Sequence, residues 1–276
     1  MNDTRSPLQT IAIYLGALLI LVWSGGPFIW QFSTSFQLDK ALTSGSPSLI
    51  PAPFTLEHYY NAFIEKQLHR YVWNSLVVSL ATTFLCLFVG SLAAFALSRL
   101  NVKGRFGILM VILSVSMFPQ IALVGPLYLV ATNLGLLDTY TALIITYLAL
   151  GLPLVTWVLF GYFETLPREI DEAARMDGAS LWNEIVYVLT PMAVPGIAST
   201  MLLNIILAWN EAFWTIRLTT TEAAPLTAFI SSFSSPQGLF WAKLSAASTL
   251  AIAPILIMGW FSQKQLVRGL TFGAVK

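Results

Sequence analysis

The sequence predicts an all-α, polytopic membrane protein with six transmembrane helices, and both composition and periodicity support this class. Of the 276 residues, 57% are hydrophobic and 10% are charged, whereas a soluble domain carries about 25% charged residues. The mean hydropathy is +0.75. Apolar stretches long enough for the roughly 20 residues that cross a bilayer core recur along the whole chain. We therefore expect one transmembrane domain over residues 1–276, with the lipid bilayer as its surroundings.

The apolar stretches predict six helices, at about 11–34, 73–98, 106–131, 140–163, 194–214 and 245–263. The first stretch follows Arg5 and superficially resembles a secretory signal. It is long and lacks a small-residue cleavage site, so we expect it to remain as the first helix. Prolines inside the predicted helices are tolerated in membranes and permit kinks; they are Pro119, Pro126, Pro153 and Pro254.

The distribution of Lys and Arg predicts the orientation of the chain, because cytoplasmic flanks retain basic residues. An even number of helices places both termini on one side. The flanks on that side carry nine basic residues: Arg5, Arg99, Lys103, Arg105, Arg168, Arg175, Lys264, Arg268 and Lys276. The opposite flanks carry the other five: Lys40, Lys66, Arg70, Arg217 and Lys243. We therefore expect both termini in the cytoplasm.

Several functional classes find no support in the sequence. The net charge of +1 gives no concentrated basic surface for nucleic acid. The single cysteine, Cys86, lies in an apolar run, which excludes an internal disulfide and indicates lipid contact or helix packing rather than a metal site. His58 and His69 fall in a predicted outward segment without a nucleophile at motif spacing, and we expect both to be solvated. We predict no catalytic residues, no metal site and no enzyme activity.

The predicted cytosolic loop 164–193 differs in composition from the stretches around it. Pro167 suits the first turn of a helix, and acids in that turn complement the helix dipole. Ala173 and Ala174 favour a helix that can lie close to another surface. The loop contains six acids against two arginines: Glu164, Glu169, Asp171, Glu172, Asp177 and Glu184 against Arg168 and Arg175.

A turn and a second helix follow in the same loop. Asp177 and Gly178 predict a stop, because glycine adopts the left-handed conformation at little cost. A second amphipathic helix is predicted to end before Pro191 and Pro195; its apolar face is formed by Leu181, Trp182, Ile185, Val186 and Leu189. A packed helix, turn and helix can transmit force to the membrane domain, whereas an ordinary hairpin with solvated acids is the alternative.

The loop resembles the EAA loop of bacterial ABC importer permeases, whose pattern is EAA, three residues, G, nine residues and I-x-L-P. EAARMDG at 172–178 and Pro191 match this pattern, with Val188 at the isoleucine and Thr190 at the leucine position. The chain is similar to carbohydrate importers of the maltose-transporter type over its whole length. The further signatures are Asn74-Ser75-Leu76, AAFALSR at 93–99, MFPQIALVGPLY at 117–128, NLGLLDT at 133–139, LAWNEAF at 207–213 and RGLTFGAVK at 268–276.

The resemblance implies a bacterial inner-membrane subunit that forms half of a pathway for a carbohydrate. It implies that the 167–191 loop couples to a separate nucleotide-binding ATPase subunit, through Glu172, Ala173, Ala174, Asp177 and Gly178. It also implies a second homologous permease subunit and an extracytoplasmic solute-binding protein that contacts the segment 219–238. Composition alone predicts that this Ser/Thr-rich segment is an exposed loop.

The sequence contains no G-x-x-x-x-G-K-[ST] loop, so we expect ATP and Mg²⁺ to be used by a partner and no cofactor to be bound by this chain. A proton- or sodium-coupled transporter is the rival interpretation, and it needs ionisable groups near the membrane midplane. Glu211 is the only acid predicted within a helix.

Candidate substrate contacts lie near the end of the fifth predicted helix. Trp209, Asn210 and Glu211 combine a flat apolar face with polar groups that could match sugar hydroxyls, and Asn204 lies about a turn and a half earlier. In the alternative interpretation, Trp209 is an interfacial anchor and Glu211 faces the outer water.

Overall fold

A computed structural model describes residues 7–44, 49–235 and 238–271. Arg5, Lys276 and residues 272–276 of the last signature lie outside the described residues, as do residues 236–237 of the predicted outward segment. The helices are α1 (Pro7–Thr34), α2 (Asp39–Ser44), α3 (Glu57–Tyr60), α4 (Leu68–Arg99), α5 (Arg105–Ser116), α6 (Gln120–Asn133), α7 (Tyr140–Thr165), α8 (Glu169–Met176), α9 (Leu181–Asn183), α10 (Thr190–Trp209), α11 (Phe213–Leu218), α12 (Leu226–Ser231) and α13 (Trp241–Thr271).

Within the described ranges, five helical segments are long and apolar enough to cross a membrane: Pro7–Thr34, Leu68–Arg99, Tyr140–Thr165, Leu181–Trp209 and Trp241–Trp260. A sixth span results if α5 and α6 are counted together. These two helices are bent by 83° relative to each other. The all-α polytopic class that composition predicts is thus observed.

The bend between α5 and α6 corrects the single helix predicted at 106–131. Met117 and Phe118 end the hydrogen-bonded turns of α5, and Pro119 has an extended backbone (ψ 114°) before α6. Proline has no N–H to continue the helix, and its ring disfavours helical backbone at the preceding residue. Hydropathy does not report this bend, because both halves are apolar.

The chain divides into two compact units, one formed by residues 1–68 and 232–252 and the other by residues 69–231 and 253–276. The first unit contains α1 to α3, a π-helical turn Asn61–Glu65 and the beginning of α13. It also contains a short antiparallel pair, β1 (Ser234–Ser235) with β2 (Gly238–Leu239). An aromatic cluster joins Phe36 to Phe54 and Tyr59, with ring centroids 4.8 and 5.2 Å apart.

His58, in the first unit, corrects the expectation that both histidines are solvated. Its side chain is buried, and Nε2 lies 2.9 Å from the carbonyl oxygen of Gln37. A carbonyl can only accept, so this contact requires a proton on Nε2. His69, in the other unit, is exposed as expected.

The second unit is built around α7. One apolar cluster joins this helix to α4, α5 and α10 through Phe95, Leu109, Leu159 and Ala193. A second cluster, which includes Leu143, Tyr147 and Trp214, joins α7 to α11. Cys86 is buried in the first cluster, which agrees with the helix-packing interpretation of this residue.

The helix after the Gly178 turn continues into the membrane span instead of ending before Pro191. It runs from α9 through a π-helical segment, Glu184–Leu189, into α10 without interruption. Pro191 lies in the first turn of α10, directly after the π-helical segment. A missing N–H is tolerated there, because the hydrogen-bonding pattern already changes at this junction.

The predicted fifth helix, 194–214, ends earlier than expected. α10 stops at Trp209, and the side chain of Asn210 donates to the carbonyl of Ile206 at 2.8 Å, in competition with the backbone. α11 then begins at Phe213. Glu211 therefore lies between two helices and not inside one.

Candidate functional site

α8 is a short amphipathic helix that presents one exposed face. Four exposed side chains recur at helical spacing and form this face, and Arg175 is exposed beside them; the four are Glu169, Glu172, Ala173 and Met176. Asp171 and Ala174 are buried on the opposite face. Of the predicted coupling residues, Glu172 and Ala173 thus share the exposed face, whereas Ala174 packs against the chain itself.

The turn that follows α8 has the conformation that Asp177-Gly178 predicts. Gly178 has φ +81°, and its N–H donates to the carbonyl of Arg175 at 3.1 Å. Residues other than glycine and asparagine rarely adopt this left-handed backbone conformation. Ser180 then caps the next helix, since its hydroxyl accepts from the N–H of Asn183. We call residues 169–189 the elbow.

A bidentate ion pair holds the two arms of the elbow together. The guanidinium of Arg175 donates to both carboxylate oxygens of Glu184, each at 2.9 Å. The Glu184 side chain is 1% exposed and the Arg175 side chain is 48% exposed. The hydrogen bond to Glu184 raises the pKa of Arg175. Such fork-shaped contacts fix geometry as well as energy.

A second ion pair joins the elbow to α4. Nη1 of Arg99, the last residue of α4, lies 3.0 Å from Oδ2 of Asp171. These side chains are 2% and 7% exposed. Burial raises the pKa of Asp171 above its ordinary value, although the positive charge of Arg99 acts in the opposite direction.

The same guanidinium contacts the end of α7. Nη2 of Arg99 donates to the carbonyl oxygens of Phe163 and Leu166, the latter at 2.8 Å. Carbonyls at a helix C-terminus carry the negative end of the helix dipole and are natural acceptors for a cation; that of Phe163 also accepts from the N–H of Leu166 at 3.1 Å. Arg99 therefore links the ends of α4, α7 and α8.

Large apolar side chains are exposed on the elbow. Met176 is 90% exposed at the end of α8, and Trp182 is 58% exposed in the next helix. α8 has eight residues, four of them charged, so it is too short and too polar to cross a bilayer. These exposed apolar side chains are therefore available for contact with another protein.

The four candidate substrate contacts occupy different environments. Asn204 is 1% exposed, and its side-chain amide donates to Thr83 of α4 at 3.0 Å. Trp209 is 4% exposed, which does not suit an interfacial anchor. Asn210 is exposed, and Glu211 is half-buried. The structure thus brings Asn210 alone of the four to an open surface of the chain.

Glu211 acts as a cap for α11. Its carboxylate accepts from the backbone N–H groups of Trp214, at 3.0 Å, and Thr215, at 3.3 Å. These N–H groups belong to the first turn of the helix and would otherwise lack partners. The capping role accounts for an acid at this position without any need for ion-coupled transport.

Part of the segment 219–238, which is predicted to be an exposed loop, is held by Asp138, namely residues 220–223. The carboxylate of Asp138 accepts from four consecutive backbone N–H groups, those of residues 220–223, at 2.9 to 3.1 Å. Ala223, Ala224, Leu226 and Phe229 are buried. Short-range composition could not predict this, because the partner carboxylate lies 82 or more residues earlier.

The Asp138 carboxylate is stabilised as an anion by this arrangement. Burial favours the protonated form, but the hydrogen bonds from the backbone of residues 220–223 outweigh it and hold the pKa of Asp138 well below its ordinary value. Asp138 itself has φ +56°, which Asp tolerates better than most residues. The NLGLLDT signature therefore ends in a structural anchor.

Comparison with known proteins identifies the group to which this architecture belongs. The sequence pattern of the family described as "Binding-protein-dependent transport system inner membrane component" matches residues 86–267. The chain belongs to this family. This inner-membrane component is 38% identical to the trehalose/maltose transport system permease protein MalG of Thermococcus litoralis over 273 residues, 98% of each chain. It is 37% identical to the inner membrane ABC transporter permease protein YcjP of Escherichia coli, over 100% of each chain.

Solved structures agree with the fold. A chain from a bacterial ABC transporter that imports the acidic polysaccharide alginate superposes with a TM-score of 0.76 at 24% identity. The match covers 95% of this chain and 99% of that chain. The inner-membrane component is therefore a multi-pass transport protein with the architecture of ABC importer permeases, and its family is one of transport components rather than catalytic subunits.

Sequence reasoning missed the residues that hold the site together. The sequence indicates Arg99 as a cytosolic charge and as the last residue of a family signature, and it indicates Asp171 and Glu184 as acids of the loop. The available signal was that AAFALSR at 93–99 ends in an arginine directly after an apolar run. Neither composition nor spacing indicates which acid such an arginine contacts. Among the described residues, no group of three or more potential metal ligands is present.

Proposed function

We propose that this inner-membrane component is the permease subunit of an ATP-driven carbohydrate importer, and that its elbow docks on a separate ATPase subunit. The observation that carries the proposal is the exposed face of α8. This face combines Glu172, Ala173 and a 90% exposed Met176 on a helix that is too short and too polar to cross the bilayer. A small residue between an acid and a flexible apolar side chain suits close approach by another protein.

The carbohydrate class rests on the relatives. Proteins 30–38% identical to this chain are named as transport permeases for trehalose and maltose, sulfoquinovosyl glycerol, diacetylchitobiose and maltodextrin. The alignment with this chain covers most of the length of each of these relatives. We propose that this permease likewise carries a sugar or sugar derivative, delivered by an extracytoplasmic solute-binding protein.

We propose that the energy comes from ATP and Mg²⁺ held by the partner, since the sequence has no phosphate-binding loop. Uptake in cells should then survive collapse of the proton and sodium gradients and stop on ATP depletion. The reverse result would favour an ion-coupled transporter. Glu211 gives that rival little support, because its carboxylate is engaged by the first turn of α11.

The docking of the elbow is tested at Gly178. Gly178→Pro fixes φ near −65° and removes the N–H that bonds to Arg175, so it should abolish uptake and receptor-stimulated ATP hydrolysis. Gly178→Asn is the matched control, because asparagine tolerates the left-handed backbone and should retain most of the uptake. Both proteins must still be recovered from the membrane fraction. Unchanged uptake by Gly178→Pro would refute the docking proposal.

We further propose that the stretch 204–211 borders the substrate pathway and that Asn210 is its exposed member. Asn204 and Trp209 would support the pathway wall from within the chain. Asn210→Ala should raise the KM for uptake while maximal ATP hydrolysis is unchanged. An unaltered KM would remove Asn210 from the pathway.

A further inference from the structure

The Arg99–Asp171 ion pair differs from the other ion pairs near the elbow in its burial. Its side chains are 2% and 7% exposed. The Arg105–Glu164 pair, which joins α5 to α7, is 29% and 33% exposed. Desolvation of two charges is costly, and a buried pair is therefore weak evidence for stability alone. The pair calls for an explanation beyond the stabilisation of the fold.

The position of the Arg99 guanidinium indicates what the pair does. One planar group contacts the carboxylate of Asp171 in α8 and the carbonyls of Phe163 and Leu166 at the end of α7. It is attached to the last residue of α4. Because the guanidinium presents its donors in a rigid plane, a displacement of any contacted segment is transferred to the others.

The covalent link between α7 and α8 is less suited to transfer a displacement. Leu166 ends α7 with extended backbone (ψ 140°), and α8 does not begin until Glu169. The φ angle of Pro167 is fixed, but this non-helical link retains free dihedral angles on both sides of the proline and can pivot at them. The Arg175–Glu184 pair, for its part, leads from α8 to the helix that continues as α10. Arg99 thus provides a buried ion pair between α8 and α4, whereas Arg168, the exposed N-cap residue of α8, adds one longer hydrogen bond to the carbonyl of Ser98 at 3.4 Å.

We propose that Arg99 and Asp171 are positioning residues that transmit movement of α8 to the ends of α4 and α7, so that ATP hydrolysis by the partner is converted into transport. This inference rests on the proposed function, in which the exposed face of α8 docks on the ATPase. It adds the route by which that movement enters the membrane domain. The two buried faces of α8 and α4 move as one body through this contact.

The test compares transport with ATP consumption. Asp171→Asn keeps the size of the side chain and removes its charge. The assembled complex should still hydrolyse ATP, but the number of ATP molecules consumed per substrate transported should rise about 2- to 30-fold, the range of coupling effects through packed networks. A purely structural defect lowers uptake and ATP hydrolysis together and leaves their ratio unchanged. Asp171→Glu retains the charge and should restore part of the parent ratio.

Arg99→Lys provides a second variant that keeps the buried charge paired but lacks the rigid fork, and it should raise the same ratio. The matched control is Glu164→Gln, which breaks the contacts of Glu164 with Arg105 and Arg168 but leaves the Arg99–Asp171 pair intact, so the ratio should stay at the parent value. A parent-like ratio in Asp171→Asn would overturn the inference. Failure of both Asp171→Asn and Arg99→Lys to assemble would assign the pair to folding and overturn it as well.

The outcomes distinguish a failure of the proposed docking from a failure of the route through Arg99. If Gly178→Pro abolishes uptake while Asp171→Asn transports with the parent ratio, docking stands and only the route through Arg99 is wrong. If Gly178→Pro leaves uptake unchanged, the docking of the elbow itself is wrong.

Discussion

At Gly151, in the middle of α7, two neighbouring helices approach so closely that a side chain has no room. A Cβ atom there would lie 2.5 Å from Oδ1 of Asn204 and 2.8 Å from Sγ of Cys86. Small residues at such positions allow membrane helices to pack backbone to side chain. The buried Asn204 thus has a clear role in packing α10 against α7 and α4.

We expect Gly151→Ala to destabilise the protein by about 1–3 kcal/mol, the usual cost of overpacking a close-packed core. The measurement is the thermal unfolding midpoint in detergent. Gly161→Ala is the control on the same helix, since no atom lies within 4 Å of its Cβ position. Equal midpoints for the two variants would contradict the packing described for α7.

The anchor at Asp138 predicts a pH dependence. The pKa of this carboxyl is lower in the folded chain than in the unfolded chain. Its contribution to stability is therefore complete above the ordinary Asp pKa of about 3.9 and is lost as the pH falls from there toward the folded-state pKa. Asp138→Asn should unfold at a lower temperature than the parent at pH 7 and at pH 5, and the gap should narrow at pH 3. A gap that is constant over this range would argue against an ionised anchor.

At the scale of elements, α8 has two faces with different tasks. The buried face is tied to α4 through Asp171, and the exposed face ends in Met176. A single apolar side chain at the centre of a contact can dominate its free energy. We therefore expect a charge introduced at Met176 to weaken the contact that the exposed face makes.

Met176→Asp should weaken the association of the ATPase subunit about tenfold or more, which corresponds to about 1.4 kcal/mol. The readout is the amount of ATPase that copurifies after mild detergent extraction. Leu134→Asp is the control, because Leu134 is also exposed but lies in the short connection at the other end of α7. Full recovery of the ATPase with Met176→Asp would place the contact elsewhere.

Neighbouring residues in the sequence predict the helices and the turn of the elbow, but they do not predict the contacts of the elbow with distant residues. The left-handed turn at Gly178 follows from two adjacent residues and is confirmed by its φ of +81°. The Arg99–Asp171 pair joins residues 72 positions apart, and no periodicity in either segment specifies the partner. Glu211 was placed inside a helix, because apolar residues on both sides conceal the break that Asn210 introduces.

For the whole molecule, length and hydropathy predicted the class and most of the spans, since these depend on composition over about 20 residues. The bend at Pro119 was not predicted, because apolar composition is the same on both sides of it. Large apolar surfaces of the described helices, such as those of α1 and α6, are exposed in the single chain. We expect these surfaces to face lipid or the proposed second subunit in the membrane.

We expect the permease to copurify with an ATPase, a second homologous permease and, when substrate is present, a solute-binding protein. The second permease is expected because one membrane chain with one elbow encloses only half of a transport pathway. The measurement is mass spectrometric identification of the proteins retained by a tagged permease, with the Gly178→Pro variant as a control that should lose the ATPase alone. Recovery of the permease without any ATPase would contradict this assembly.

The π-helical segment 184–189 fixes the rotational phase between the elbow and the membrane part of α10. Such a segment holds one more residue per turn than an α-helix, and one residue corresponds to about 100° of rotation. Loss of one residue there would leave a continuous helix but turn Glu184 away from the side of Arg175 that it now meets. Substitutions in this segment should thus be tolerated more readily than single deletions, because the count of residues sets the direction in which the elbow points.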